Sequence, residues 1–393
     1  MTDTDDTRET PTRRDCMKYG GAAVAGGLLA GCLGSDSSSS GDAPAPRYEA
    51  CIEPVGCVGF DTVPETYVVN NGEWADMAFA LGQRDGFLTS TTMIPGFLFE
   101  PFGLDVPPRS ETAGLDTTSW DKEVFYEEEP DVILMDPNYM HATGWDSTWD
   151  ESDTREIAEN VAPFFGNNIL RRREWHDYRL YTLYEAFERL ADCFQERERY
   201  EAIAEIHDSV QAEIQSRLPP VDDRPSIALI NSASSPAQGT FYPMHTQSEG
   251  VETKPYRDLG IGSVFSAETA AGGSIDYELL IDVDPDVIVV HWGIGTTGDG
   301  DGFSAAAFRE QYVEPFEDHS AGSQLTAVEN GAIYPGAYGS QGPLVNLLQT
   351  EMVAQQLFPE IFGSFDLEAF PDVPAEQRLF DRQAVADIVA GDF

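Results

Sequence analysis

The segment Glu129-Pro130-Asp131-Val132-Ile133-Leu134-Met135 and its echo Asp284-Pro285-Asp286-Val287-Ile288-Val289-Val290 decide the fold of this 393-residue chain. In each copy Pro and Asp close a helix and an apolar run of four residues follows. An apolar run that short, bounded by turn residues, reads as a strand covered on both faces, the pattern of parallel strands in α/β sheets. Outward from the first copy, Tyr67-Val68-Val69 is a second strand and Trp74 to Leu81 a helix, so the first half is an α/β lobe. Around the second copy, Ile227-Ala228-Leu229-Ile230 and the region of Ile333-Tyr334 supply the strands of another α/β half. Between the halves, Tyr178 to Leu218 contains neither Gly nor Pro. Within Glu196 to Leu218, Tyr200, Ile203, His207, Val210, Ile214 and Leu218 recur at steps of three and four and mark one helix face. At 1.5 Å per residue that helix is about 34 Å long, enough to run along two lobes, and Pro219-Pro220 ends it. His207 on the apolar face and Cys193 in an apolar stretch are expected to be packed residues.

At the N-terminus, Thr12-Arg13-Arg14-Asp15-Cys16-Met17-Lys18 precedes a short Gly/Ala-rich run and then Leu29-Ala30-Gly31-Cys32. A twin-arginine pair, a short apolar run and a small-residue cleavage site in that order describe an export signal over residues 1–31, too short to remain across a membrane. Leu29 to Cys32 resembles a lipobox, which implies lipidation of Cys32 and tethering on the extracellular face of the cytoplasmic membrane. Residues 32–47 are polar and serve as a leash.

The chain carries 23 basic and 69 acidic residues, a net charge of −46. Without residues 1–31 the body keeps 19 basic and 64 acidic residues, so the acidity belongs to the folded part. It is spread along the chain, and lysine occurs only at Lys18, Lys122 and Lys254. Such a surface resembles haloarchaeal proteins, where molar salt screens self-repulsion beyond about 3 Å. Nucleic acid is excluded as a partner, because its phosphates would be repelled almost everywhere. With 41% hydrophobic residues the chain can bury two cores. Cys51 and Cys57 are placed to form a small disulfide loop, with free thiols or a two-cysteine metal site as the alternatives.

Several pieces in order resemble the helix-linked (class III) substrate-binding proteins of ABC importers, the family that delivers ferric siderophores, haem and corrinoids. They are Val63-Pro64-Glu65-Thr66, Asp76 to Gly82, the paired Pro-Asp-Val-Ile segments, the long helix, and Leu325 to Tyr334. Gly342-Pro343-Leu344 and Gln355 to Glu360 complete the set. The resemblance implies two Rossmann-like lobes, an N-terminal one at 48–175 and a C-terminal one at 221–393, joined by a helical region at 176–220 that contains a rigid spanning helix. It implies a monomer that holds its ligand between the lobes and delivers it to a membrane permease with its ATPase. One carboxylate per lobe would dock on the permease, and the family's pattern falls on Asp76 and Glu278.

In sheets of this kind ligands bind beyond the carboxyl ends of the strands. The first lobe offers Trp74, Asn138, Tyr139 and His141 there, with Trp145 and Trp149 soon after. The second offers Tyr242, His245, His291, Trp292 and Tyr338. Aromatic rings cover the apolar faces of large chelates, while His and Tyr reach a metal centre or hydrogen-bond to a ligand. Trp145 and Trp149 read equally as packing residues. Arg84, Arg109 and Arg257 are the arginines considered for an anionic chelate. No resident cofactor or protein-held metal is expected. The implied cargo is a ferric siderophore-type chelate, haem or a corrinoid, with a free metal ion or another solute as the alternative. A secreted lipid-anchored hydrolase is the competing class, but the chain contains no Gly-x-Ser-x-Gly, His-Glu-x-x-His or phosphate-loop motif. Asp299 and Asp301 lack the closing Glu of a calcium loop. If the acidity is a salt adaptation, the melting temperature should rise steeply between dilute buffer and multimolar KCl; an unchanged value would contradict it.

Overall fold

A computed structural model describes residues 47–90, 94–107, 114–296 and 302–393. The export signal, Cys32, the leash before Arg47, and Arg109, Asp299 and Asp301 lie outside these residues. Two strands open the described chain, β1 (Tyr48–Ile52) and β2 (Gly56–Phe60), and they pair antiparallel. Cys51 faces Cys57 across this hairpin and the two are disulfide-bonded, which removes the thiol and metal alternatives. The first lobe is built on β3 (Tyr67–Val69), β4 (Phe87–Ser90) and β5 (Val132–Leu134), all parallel in the order β4-β3-β5. The second is built on β6 (Ile227–Asn231), β7 (Pro243–Met244), β8 (Val287–His291) and β9 (Ile333–Pro335), in the order β7-β6-β8-β9. Only the short edge strand β7 runs antiparallel there. The strands β3, β5 and β8 are buried along their whole length, as continuous apolar runs require.

The sequence echo has one physical cause in both lobes. The helices Lys122–Glu128 and Tyr277–Val283 each end on a non-glycine residue in the left-handed region, Glu129 at φ 45° and Asp284 at φ 34°. Proline follows, since it cannot continue the helix, and the next aspartate fixes the start of the neighbouring strand. Asp131 Oδ2 accepts from the Glu65 and Thr66 amides at 2.9 and 3.0 Å, while the Thr66 hydroxyl accepts from the Asp131 amide at 3.1 Å. Asp286 Oδ2 accepts from the Ser226 amide and hydroxyl at 2.8 Å, and the Ser226 hydroxyl accepts from the Asp286 amide at 3.0 Å.

The stretch between the lobes forms two helices, Leu183–Phe194 and Arg197–Arg217, separated by Gln195 at φ 56°. The second spans the lobes. Near its start Arg199 Nη1 donates to Leu81 O at 2.7 Å, and toward its end Gln211 and Gln215 donate to Asp258 at 3.2 and 2.5 Å. Ile203, Val210 and Ile214 of the expected face are buried. His207 packs on Tyr184 with ring centroids 4.1 Å apart, and Cys193 is buried.

After β9 the chain leaves the second sheet. The helix Pro343–Leu357 is buried at every residue, and the Leu344 and Val345 amides donate to Asp76 at 3.0 Å each. The helix Arg382–Ala390 follows, and its Arg382 forms a buried ion pair with Glu351. Phe380 just before it stacks on Phe102 of the first lobe at 6.3 Å. The C-terminal segment therefore touches both lobes: Leu344, Val345 and Phe380 pack on the first, while Gln356 donates to Pro335 O at 3.0 Å and Phe365 meets Tyr334 at 6.1 Å on the second. Asp76, expected on the surface for permease docking, is fully buried as the cap of this helix. Its methylene-shortened side chain reaches two first-turn amides, which is why it cannot reach a partner. Asp131→Ala and Asp286→Ala should each cost about 1–2 kcal/mol in chemical denaturation at high salt, and the two losses should add, since the sites lie in separate sheets.

Candidate functional site

The site grows from the end of β8. Strands β6 and β8 run side by side to Asn231 and His291, and the chain continues into Trp292 at φ 67°. Opposite, the segment after the first lobe is stitched to the second: Val251 N donates to Ile169 O at 3.0 Å and Glu252 N to Leu170 O at 3.4 Å. That pairing sets Arg171 and Arg172 beside Glu252 and Glu249. Arg171 forms an ion pair with the buried Glu252, and Arg172 Nε donates to Glu249 at 2.6 Å. Glu252 Oε1 also lies 3.3 Å from His291 Nε2 and 3.4 Å from Trp292 Nε1. In front of this group lies a cavity of about 470 Å³. Arg171, Arg172, Tyr242, His245, Glu249 and Glu252 are among its walls.

Burial would raise the Glu252 carboxyl, but the hydrogen bond and charge of His291 and the charge of Arg171 outweigh it and hold it below the ordinary carboxylate range. Glu73, in the first turn of the helix Gly72–Ala80, behaves oppositely. Burial pushes its carboxyl up to about 7, the Glu252 charge adds to this, and bonds from its own amide and from Asn71 only partly oppose it. One Glu73 oxygen accepts from Asn71 Nδ2 at 3.1 Å, while the other is buried without a partner. Two carboxyls near one another are thus driven apart in pKa, one ionised and one poised near neutrality. Burial and then the Arg171 charge lower the Arg173 guanidinium, and burial with Arg172 and Arg173 lowers His176 to about 4.

Of the second-lobe candidates, Tyr242 and His245 belong to the cavity wall, whereas His291 and Trp292 meet Glu252 and Tyr338 meets Trp292 edge to face at 4.8 Å, none of these three being part of that wall. From the first lobe Tyr139 comes close: its ring meets Trp145 at 5.5 Å, and the Arg173 guanidinium lies 5.8 Å over Trp145, itself exposed. Trp149 is a packing residue, buried and donating to Thr154 at 2.9 Å. The remaining first-lobe candidates do not converge. Trp74 is buried and donates to Asn167 O at 3.2 Å, anchoring the stretch ahead of Arg171 instead of facing a ligand. Asn138 bonds to its own cap Asp136 at 3.2 Å, and His141 Nδ1 lies 3.3 Å from Thr154 Oγ1 within its lobe. Arg257 is spent on loop carbonyls of Ser248 and Gly250, and Arg84 on Asp105 O. The sequence reading passed over Arg171-Arg172-Arg173. Three consecutive arginines in a chain with 23 basic residues was the available signal. Glu252 carried none, being one of 69 acidic residues.

Residues 116–336, more than half of the chain and including Arg171, Glu252, His291 and Trp292, match the model of a family described as periplasmic binding protein. The chain belongs to that family, whose members and structural neighbours are solute-binding proteins. The iron uptake ABC transporter substrate-binding protein PiuA from Streptococcus pneumoniae is similar, with a TM-score of 0.54 and 18% identity over 79% of this chain and 99% of that one. A periplasmic binding protein from Veillonella parvula gives a TM-score of 0.53 and 18% identity over 82% and 95% of the two chains. CeuE from Helicobacter pylori, solved with Ni(II) bound, gives 0.53 and 10% identity over 80% and 90%. At these identities the likeness is one of fold. No curated protein is significantly similar in sequence. Among the described residues no helix is long and apolar enough to cross a membrane.

A carboxyl whose pKa is raised on folding stabilises the protein below its unfolded value and loses that contribution as pH rises through the folded value. For Glu73 the window is from about 4.5 to about 7. Glu73→Gln should therefore leave stability near pH 4 little changed and raise it above pH 7 by about 3 kcal/mol at most, read from denaturation midpoints across pH. Parallel profiles for the two proteins would contradict this.

Proposed function

We propose that this chain is the extracytoplasmic solute-binding component of an ABC importer, and that its cargo is an iron chelate of the siderophore class. The observation that carries this reading is the cavity of about 470 Å³ in which arginines from the interlobe segment meet aromatic and imidazole groups of the second lobe. Its size suits a small-molecule ligand. Arg171 and Arg172 are each balanced by a glutamate, so the walls are close to neutral and the arginine forks remain to address chelate oxygens. Tyr242 supplies an apolar ring face to the cavity, and Trp292 stands next to the wall residue Glu252. The iron-uptake role of the pneumococcal neighbour points the same way. Among the described residues no group of three His, Cys, Asp or Glu side chains comes together as a metal would need, which favours a preformed chelate over a bare ion. Haem and corrinoids are the other cargoes to be compared.

In this reading the lipidated Cys32 and the leash hold the domain at the outer face of the membrane, and a monomer hands its ligand to a permease and its ATPase. Glu278, exposed in the first turn of the helix Tyr277–Val283, is the docking carboxylate of the second lobe. The test is intrinsic tryptophan fluorescence of the mature domain in multimolar KCl, titrated with ferric tris(acetohydroxamate), a ferric catecholate, haem, cobalamin and free Fe(III). A ferric chelate should quench saturably, and Trp292→Phe should remove most of the change. No response of the folded protein to any ferric chelate would overturn the cargo. Glu278→Lys should abolish uptake in cells while leaving the titration unaltered.

A further inference from the structure

His291 ends β8 and Trp292 follows it directly; were the strand to continue, their successive side chains would point to opposite faces. Here both rings reach one oxygen, Glu252 Oε1, with His291 Nε2 at 3.3 Å and Trp292 Nε1 at 3.4 Å. The backbone of Trp292 makes this possible. Its φ of 67° lies in the left-handed region, uncommon for a bulky aromatic residue. Such conformations persist where the surroundings over-determine them, and they cluster at ligand sites.

The surroundings of Trp292 do over-determine it. Its amide donates to Ala337 O at 2.9 Å and its ring meets Tyr338 at 4.8 Å. Gly339 leaves room for the indole, since a Cβ there would fall 2.5 Å from two of its carbons. Within this slot Glu252 Oε1 fixes the indole's edge, and the same oxygen is in turn anchored by Arg171. Glu252 is 4% exposed, whereas the Arg171 side chain is 38% exposed and lines the cavity.

We propose that Glu252 is the positioning residue of the binding site: one carboxylate oxygen, held by Arg171, turns the His291 and Trp292 rings to the same side and keeps the indole in its ligand-contacting orientation. This rests on the reading of Trp292 as a ligand contact. It adds a prediction that does not need the ligand. The reach of the acceptor matters more than its charge, so Glu252→Asp, which withdraws the oxygen by one methylene, is more disruptive than Glu252→Gln, which keeps an oxygen at the same distance.

The test is near-UV circular dichroism of the ligand-free mature domain in multimolar KCl. The difference between wild type and Trp292→Phe defines the Trp292 band. Glu252→Asp should retain the far-UV spectrum and lose this band, and Glu252→Gln should keep most of it. The affinity for ferric tris(acetohydroxamate) should fall at least tenfold in Glu252→Asp, with no further loss when Trp292→Phe is added. A folded Glu252→Asp protein that keeps the band overturns the proposal. If that variant does not fold, Arg171→Met, which frees Glu252 from its outer anchor, must shift the band, and an unshifted band overturns the proposal equally. Should no chelate bind the wild type, the cargo reading fails and the spectral comparison still decides the role of Glu252.

Discussion

The contact between Asp76 and the first turn of the helix Pro343–Leu357 holds the two halves of the molecule in register. Both Asp76 oxygens are used, one on the Leu344 amide and one on the Val345 amide. These are among the amides that no helix can satisfy from within, and here they are buried, so a side chain must serve them. The approach is close enough that a Cβ on Gly342 would fall 2.6 Å from the Asp76 carboxyl carbon. The clamp fixes the preceding loop as well. Tyr338 is thereby brought against Trp292, and Ser340 against Gly72 at the start of the helix that carries Glu73.

A second constraint is electrostatic. The body of the protein is strongly acidic, yet three consecutive arginines stand at the junction of the lobes. These positive groups offset the negative charge locally at the cleft. They also need partners, because burying an unpaired charge is costly. Glu252 supplies one for Arg171 and Glu249 for Arg172, while the Arg173 guanidinium lies 5.8 Å over the Trp145 ring; the low pKa of Glu252 records how well it is served. Glu73, with one oxygen unpartnered, is held near neutrality instead. The site thus sets a Glu252 kept ionised by its partners beside a Glu73 whose carboxyl burial pushes up to about 7.

The α/β class, the strands β3, β5, β6, β8 and β9 and the spanning helix were legible because they depend on local patterns, short apolar runs, helical periodicity and proline stops, whereas the edge strands β4 and β7 and the β1-β2 hairpin were not read. The Pro-Asp echo was legible as a repeat, and its cause, reciprocal bonds to Thr66 and Ser226, needed the three-dimensional pairing. Gln195 was missed as a helix break because its left-handed turn has no glycine to announce it. The site was half legible. His291, Trp292, Tyr242, His245 and Tyr338 follow strands or edges and could be found by position. Trp74 and Asp76 were misplaced because helix Gly72–Ala80 is buried on all sides, which its short sequence does not reveal. Glu252 and Arg171 gain their roles only from the pairing of residues 169–170 with 251–252, a contact between distant segments that no sequence period records.

The most direct measurement is amide hydrogen exchange of the mature domain in multimolar KCl, with and without saturating ferric tris(acetohydroxamate). A ligand held between the lobes should slow exchange in residues 169–173, 242–253 and 291–295, and leave the groove between the helices Arg197–Arg217 and Arg382–Ala390 unchanged. Protection confined to that groove, or to any surface away from Glu252, would contradict a binding site at the junction of the lobes.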